Sequence, residues 1–231
     1  MPGHQGYVAV IPVREGSQRI KNKNFQPFGG APTLVHHKVA QLKAAGCFDH
    51  IYLSSDSARV KEIALESGAE FLLRDHFFCT GAARWHEVVA HILNTVPGNP
   101  HVAWTMATSP IFANYAGALK VYEENLSQHD SLVAVRAVRE YLVDEGGRPL
   151  FFSFGAWHPY TTEIKPLYSI NDALFVAKKS DQLDWQYWIG RHPYLFVCNA
   201  FESIDVNFEE DLAVAHAAWD YLSCQSCKDR A

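Results

Sequence analysis

The sequence predicts a single α/β domain of three layers, in which helices cover both faces of a mostly parallel sheet. Short apolar segments rich in β-branched and aromatic residues alternate with segments of helical periodicity as far as residue 138. This alternation is typical of crossover units, whose strands run parallel. The 231 residues with 48% hydrophobic content suffice for one large core, so we expect one domain over residues 1–231.

Seven short segments have the composition of buried strands and are bounded by turn residues. In chain order they are residues 7–13, 50–56, 70–74, 101–107, 131–138, 172–179 and 193–199. The predicted helices are residues 33–46, 57–68, 84–96 and 115–126, a short helix near residues 182–190, and a last helix from about residue 208. Ser57 is a favoured N-cap residue, and Gly46 and Gly68 are favoured just after a helix, which supports these boundaries.

The regular alternation is interrupted after residue 138. Residues 139–170 contain the pair Gly146-Gly147, several prolines and no helical periodicity. Glycine pairs and prolines are typical of turns, so we expect an inserted β-rich arm of about residues 139–170.

The composition excludes several classes of function. The formal net charge is −5, whereas a general nucleic-acid or membrane-surface protein needs a large basic surface. No apolar segment approaches the roughly 20 residues that cross a bilayer, and the first residues lack the pattern of a secretory signal. We therefore expect a cytoplasmic protein that binds neither nucleic acid nor membranes.

One loop gathers four basic side chains directly after the first predicted strand. It is the segment IPVREGSQRIKNKN, residues 11–24, with Arg14, Arg19, Lys21 and Lys23. Ligands of open parallel sheets bind beyond the carboxyl ends of the strands, where this loop lies. The loop has neither the dinucleotide fingerprint nor the Walker pattern, but its Gly-Ser turn and charged donors suit a polyphosphate. The alternative is a solvated basic loop; the position after the first strand favours the anion site.

Five segments in order carry a family resemblance. The loop resembles the opening motif I-P-A-R-G-G-S-K-x-I-x-x-K-N of the acylneuraminate cytidylyltransferases, the CMP-sialic acid synthetases. Four further segments, IYLSSDS, FLLRD, TMATSP and ESIDVNFEEDLAVAH, are similar to later motifs of that family. The series extends from residue 8 to residue 216. It is specific for the family, though not for the acceptor.

The resemblance implies a fold like that of the nucleotide-diphospho-sugar transferases and a CTP-dependent nucleotidyltransferase activity. An acceptor oxygen would attack the α-phosphate of CTP with Mg²⁺ present, and pyrophosphate would leave. The resemblance implies catalytic roles for Arg14 and Lys23, which would neutralise the phosphates. The implied nucleotide-binding residues are Arg14, Gly16, Ser17, Arg19, Lys23, Asn24 and Arg74. For Arg74, a surface ion pair with Asp75 is the alternative.

The implied metal site departs from the family pattern. Asp205 matches the first carboxylate of I-D-x-D, but Asn207 stands at the second. Both are candidate Mg²⁺ ligands, and Mg²⁺ commonly takes only one or two carboxylates. The favoured alternative is that Asn207 caps the last helix with Glu210 as its capping-box partner, while Asp211 lies on the helix surface.

The implied acceptor site also departs from the pattern. Met106, Thr108 and Ser109 are the candidate acceptor-binding residues, and Met106 stands where the family has a glutamine that donates to the sugar. Because a thioether cannot donate a hydrogen bond, the standard sialic acid is the less favoured acceptor. The acceptor is expected to be an acidic sugar of the nonulosonate type. The alternative is another metabolite of surface-polysaccharide synthesis, such as a phosphorylated one.

Two substitutions reduce the positive charge of the loop. Gln18 stands where the family has lysine, and Glu15 stands where it has glycine. Together with Asn207, they support a third hypothesis, a nucleotide-binding homologue without turnover. In the family the inserted arm crosses to a second subunit, so the aromatic, proline-rich arm implies a homodimer.

Overall fold

The computed structural model describes residues 6–17 and 19–228, and for residues 226–228 the backbone alone. Gln18 therefore lies outside the described residues. The strands are β1 Tyr7–Pro12, β2 His50–Ser55, β3 Glu70–Leu73, β4 His101–Trp104, β5 Ser131–Val138, β6 Leu167–Lys178 and β7 Pro193–Cys198. The helices are α1 Leu34–Ala45, α2 Ala58–Ser67, α3 Trp85–Thr95, α4 Tyr115–Asn125, α5 Lys179–Trp185 and α6 Glu209–Lys228.

The strands form one sheet in the order β3-β2-β1-β4-β6-β5-β7. The pairs within β3-β2-β1-β4 and the pair β5-β7 are parallel, whereas β6 is antiparallel to both β4 and β5. The mostly parallel α/β fold is confirmed. Because β6 runs in the opposite direction, its first half lies at the edge of the sheet where β1 and β4 end.

Helices cover both faces of the sheet and give two separate apolar clusters. One cluster contains buried residues of α1, α2, α4 and α6, such as Leu34 and Ala215. The other contains buried residues of α3, such as Val89 and Ile92, with α5 packed against it. The three predicted layers are therefore confirmed. None of the helices among the described residues combines the length and apolar character that a membrane crossing requires.

The predicted ends of α1 and α2 agree with the structure, whereas α5 spans Lys179–Trp185 and so begins and ends earlier than the predicted segment 182–190. Ser57 accepts the Val60 N–H over 3.3 Å at the start of α2. Gly46 and Gly68 follow α1 and α2 with φ angles of 62° and 64°, a conformation that glycine adopts without steric cost.

The inserted segment differs from the β-rich arm that the sequence predicts. Residues 139–166 are irregular, with one isolated bridge between Val143 and Pro149 and a short 3₁₀ turn at Gly155–Trp157. Residues 167–170 belong to β6 and pair with the end of β5. Prolines lack the N–H that a strand ladder needs, which is consistent with the irregular backbone.

Candidate active site

A cavity of about 720 Å³ lies at the edge of the sheet where β1, β3 and β4 end. Most of the residues that the sequence singles out line it. They are Arg14, Ser17, Arg19, Lys23, Asn24, Arg74, Met106, Thr108, Asp205 and Asn207. The fold thus brings the first loop, the ends of β3 and β4, and the segment before α6 into one site.

The basic loop after β1 is fixed by apolar anchors and by its own backbone. Ile20 and Phe25 are buried in the core. Gly16 has a φ of +78°, so it makes a turn that a residue with a side chain rarely adopts. The Asn24 amide donates to the Arg14 carbonyl over 3.2 Å and closes the loop. Gly16 therefore shapes the loop without itself lining the cavity.

Lys23 connects this loop to the segment that precedes α6. Its ammonium group donates to the Val206 carbonyl over 2.7 Å and lies 3.5 Å from the Asn207 Oδ1. Burial lowers the pKa of Lys23, and the nearby Asp205 carboxylate opposes that shift. Lys23 is thus a half-buried positive charge whose position is fixed before any ligand binds.

Arg74 is only 3% exposed at the end of β3. Its guanidinium donates to the Val13 carbonyl over 2.6 Å, and its Nε–H donates to the Cys79 sulfur over 3.0 Å. The alternative of a surface ion pair with Asp75 is wrong, because the Arg74 side chain is buried and its donors bond to Val13 and Cys79. Arg74 ties the first loop to the end of β3 and lines the cavity.

Asp205 and Asn207 lie on the segment before α6. The Asn207 amide donates a hydrogen bond to the Asp205 Oδ2. The Asp205 Oδ1 is buried and has no hydrogen-bond partner among the described residues. A buried carboxylate oxygen without a partner is costly, and a bound cation would satisfy it. The residues present therefore fit Mg²⁺.

The start of α6 is capped by Asp211 rather than by Asn207. The Asp211 Oδ2 accepts the N–H groups of Asn207 and Phe208 over 2.9 and 2.8 Å, and the helix begins at Glu209. The favoured alternative for Asn207 is therefore wrong, and Asp211, expected only as a surface residue of the helix, is half-buried and has this capping role. The Asn207 side chain instead bonds to Asp205 and Lys23 at the cavity.

Asp172 lines the cavity but is absent from the residues that the sequence singles out. Its pKa is raised to about 6, mainly by burial and also by the Asp205 carboxylate, while the Lys23 ammonium group opposes the shift. The available signal was an aspartate at the start of the apolar segment DALFVAKK. A charged residue in a buried strand is a candidate functional residue. Only the antiparallel direction of β6, however, shows at which edge of the sheet Asp172 lies.

Met106 contributes to an apolar part of the cavity wall. Its side chain packs against the cluster that contains Phe175 and Trp188. Trp188 stacks on Phe175 at 4.2 Å and lies 4.7 Å from Trp85, measured between ring centroids. Trp85 and Trp188 also line the cavity, together with Phe78, and the sequence did not indicate any of these three.

Ser109 is not among the residues that line the cavity. It is buried, and its carbonyl accepts a hydrogen bond from the Lys38 ammonium group over 2.7 Å. Lys38 also donates to the Tyr115 hydroxyl over 2.8 Å. Burial lowers the pKa of Lys38 to about 7. We therefore correct the acceptor-binding assignment of Ser109: this residue helps to hold the loop after β4, whose Thr108 faces the cavity.

Glu15 does not direct its charge toward the cavity. Its carboxylate accepts a hydrogen bond from the Ser57 hydroxyl at the start of α2. The amino end of a helix favours a negative charge, so Glu15 is partly compensated there.

Sequence comparison places the chain among nucleotidyltransferases. Residues 8–136, more than half of the chain, match a family model described as cytidylyltransferase. An N-acylneuraminate cytidylyltransferase of Escherichia coli O18:K1:H7 is 27% identical over 90% of this chain and 51% of its own length. A pseudaminic acid cytidylyltransferase of Campylobacter jejuni serotype O:2 is 24% identical over 90% of this chain and 94% of its own length. The chain thus spans about half the length of the Escherichia coli relative.

Structure comparison agrees on the fold. A CMP:2-keto-3-deoxy-manno-octonic acid synthetase, solved in complex with CTP, superposes with a TM-score of 0.67. The match covers 96% of this chain and 99% of the other, at 13% identity. At this identity the likeness concerns the fold alone.

Proposed function

The chain belongs to the cytidylyltransferase family, and on that premise we propose that it transfers CMP from CTP to an acidic sugar and releases pyrophosphate. The observation that carries this proposal is the grouping of Arg14, Arg19 and Lys23 with Asp205 around one cavity. Basic groups match a triphosphate, while the unpartnered Asp205 oxygen matches a divalent cation.

Mg²⁺ would be held by Asp205 and the Asn207 amide oxygen, and when bound it would neutralise phosphate charge. In the reaction the acceptor oxygen forms a bond to the α-phosphorus, and the bond from that phosphorus to the β-phosphate oxygen breaks. Charge grows on the departing pyrophosphate. Lys23 and Arg14 are the cations of the first loop that would stabilise this charge, and Lys23 is already fixed by its bond to Val206.

The apolar wall supports an acceptor other than N-acetylneuraminate. Met106 packs against aromatic neighbours and offers no hydrogen-bond donor to a sugar hydroxyl. A second cavity of about 400 Å³ adjoins the first and contains Arg136, a cation suited to an acceptor carboxylate. The relatives are named for N-acylneuraminate and pseudaminic acid, which supports the class of acidic sugars.

We also propose that the chain is a homodimer that uses the segment 139–166. Trp157 and Tyr160 are 86% and 77% exposed, and large exposed apolar side chains are typical of interfaces. Light scattering after size-exclusion chromatography should give twice the chain mass. Replacing both residues with serine should give monomers, whereas Leu65→Ser, at a similarly exposed position on α2, should not. A monomeric wild type would contradict this proposal.

The function is tested by incubating the protein with each NTP, Mg²⁺ and a panel of acidic sugars and phosphorylated metabolites, while pyrophosphate release is followed. We expect release with CTP and a nonulosonate. Release only with a phosphorylated acceptor would overturn the acceptor class, and CTP binding without release would favour a homologue without turnover.

A further inference from the structure

We propose that Asp172 supplies the second carboxylate of the magnesium site, in place of the one that position 207 lacks. This inference rests on the proposed use of CTP with Mg²⁺. It assigns to β6 a metal ligand that the family pattern places before the last helix.

The backbone brings Asp172 and Asp205 to the same place. The Met106 N–H donates to the Asp172 carbonyl over 3.2 Å, and the Val206 N–H donates to the Thr108 carbonyl over 2.8 Å. The loop after β4 is therefore bonded both to the strand that carries Asp172 and to the segment that carries Asp205. This placement depends on the antiparallel direction of β6, because a parallel strand would bring its carboxyl end, rather than its amino end, to the edge of the sheet where β4 ends.

The two carboxylates share their surroundings. Asp172, Asp205 and Asn207 each line both the large cavity and its smaller neighbour, so they stand where the two meet. If a triphosphate occupied one cavity and the acceptor the other, the attacking acceptor oxygen would meet the triphosphate at the boundary between the two cavities. A metal ion held there would contact phosphate oxygens, as Mg²⁺ sites with few protein ligands do.

The hydrogen bonds leave ligand positions open on both carboxylates. The Asp205 Oδ1 is buried without a partner, and no described residue donates a hydrogen bond to the Asp172 carboxylate. No cluster of three or more histidines, cysteines or acidic residues that could hold a metal exists among the described residues. The two carboxylates and the Asn207 amide oxygen would therefore hold the ion together with phosphate oxygens and water.

The amide at position 207 has a role that a carboxylate could not take, which is consistent with a second carboxylate of the magnesium site at another position. Asn207 donates to the Asp205 Oδ2, which an ionised carboxylate could not do, and its oxygen lies near the Lys23 ammonium group. Asn207 thus orients Asp205, while Asp172 adds the second negative charge from the neighbouring strand. The number of carboxylates remains two although their positions differ.

The test compares CTP affinity with Mg²⁺ and with EDTA by calorimetry, using the full chain. If Asp172 is a metal ligand, Asp172→Asn should lower the affinity for CTP in the presence of Mg²⁺ by about tenfold or more. Even outer-shell partners of metals contribute 10–100-fold to metal affinity or activity. In EDTA the same variant should bind CTP as well as or better than wild type, because one charge that repels the triphosphate is gone.

Two further variants sharpen the comparison. Asp49→Asn removes the same charge at the opposite edge of the sheet, just before β2, and should leave both affinities unchanged. The double variant Asp172→Asn, Asn207→Asp returns the carboxylate to the family position and should recover much of the Mg²⁺ effect. Thermal unfolding of each variant controls for loss of fold.

Other results would overturn the inference. An unchanged Mg²⁺ effect in Asp172→Asn would show that this residue is not a ligand. Equal weakening with Mg²⁺ and EDTA would show that Asp172 contacts the nucleotide or supports the fold. If the proposed function itself were wrong, the result would be different: wild type would bind CTP with equal affinity in Mg²⁺ and in EDTA, or would not bind CTP.

Discussion

Lys23→Ala should lower kcat/KM for CTP by about a hundredfold or more, which corresponds to about 2.7 kcal/mol of transition-state stabilisation. Lys23 is the cation of the first loop whose ammonium group is already fixed, by the 2.7 Å bond to the Val206 carbonyl. The variant therefore loses a charge at the phosphates and also releases the segment that carries Asp205. Stability should change little, because the lost hydrogen bond is offset by the removal of a desolvated charge.

The assay is the initial rate of pyrophosphate release at varied CTP, with the unfolding temperature measured in parallel. Lys21→Ala is the matched control, since Lys21 belongs to the same loop but is exposed and does not line the cavity. Lys21→Ala should keep nearly full activity. Equal activities of the two variants would refute the assignment of Lys23 to the triphosphate.

Three further predictions concern the metal, the acceptor and the buried lysine. Asp205→Asn should abolish Mg²⁺-dependent turnover while Asn207→Asp is tolerated; full turnover of Asp205→Asn at low Mg²⁺ would place the ion elsewhere. Met106→Gln should improve the use of N-acetylneuraminate, by about tenfold if one hydrogen bond decides; efficient use by wild type would contradict this. Lys38 has a folded pKa of about 7 against 10.5, so the unfolded state binds more protons between these values. The free energy of unfolding of wild type, relative to that of Lys38→Met, should therefore rise with pH across that window, by at most about 1.4 kcal/mol per pH unit. If the unfolding free energies of the two proteins changed with pH in the same way, the prediction would be wrong.

The layers of the fold could be predicted from local patterns. Each strand and helix has an apolar period and end residues within its own segment, and Ser57 and Gly68 act as their types predict. The first loop is recognisable because its basic residues follow β1 directly.

The site could be predicted only in part, because several of its contacts depend on tertiary structure. Asp172 reaches the cavity because β6 runs antiparallel, which residues 167–178 alone do not indicate. The cap on α6 comes from Asp211, although Asn207 has the better local pattern for it. Lys38 reads as a surface lysine of an amphipathic helix, yet backbone carbonyls 71 and 74 residues away hold it in the core.

The most direct test of CMP transfer is ³¹P NMR of the wild-type protein with CTP, Mg²⁺ and each acidic sugar of the panel. CMP transfer predicts that the three CTP resonances are replaced by one phosphodiester resonance and by pyrophosphate in equal molar amounts, and only when an acceptor is present. A CTP spectrum that stays unchanged with every acceptor, under conditions in which calorimetry shows CTP bound, would show that the protein does not transfer CMP to these sugars.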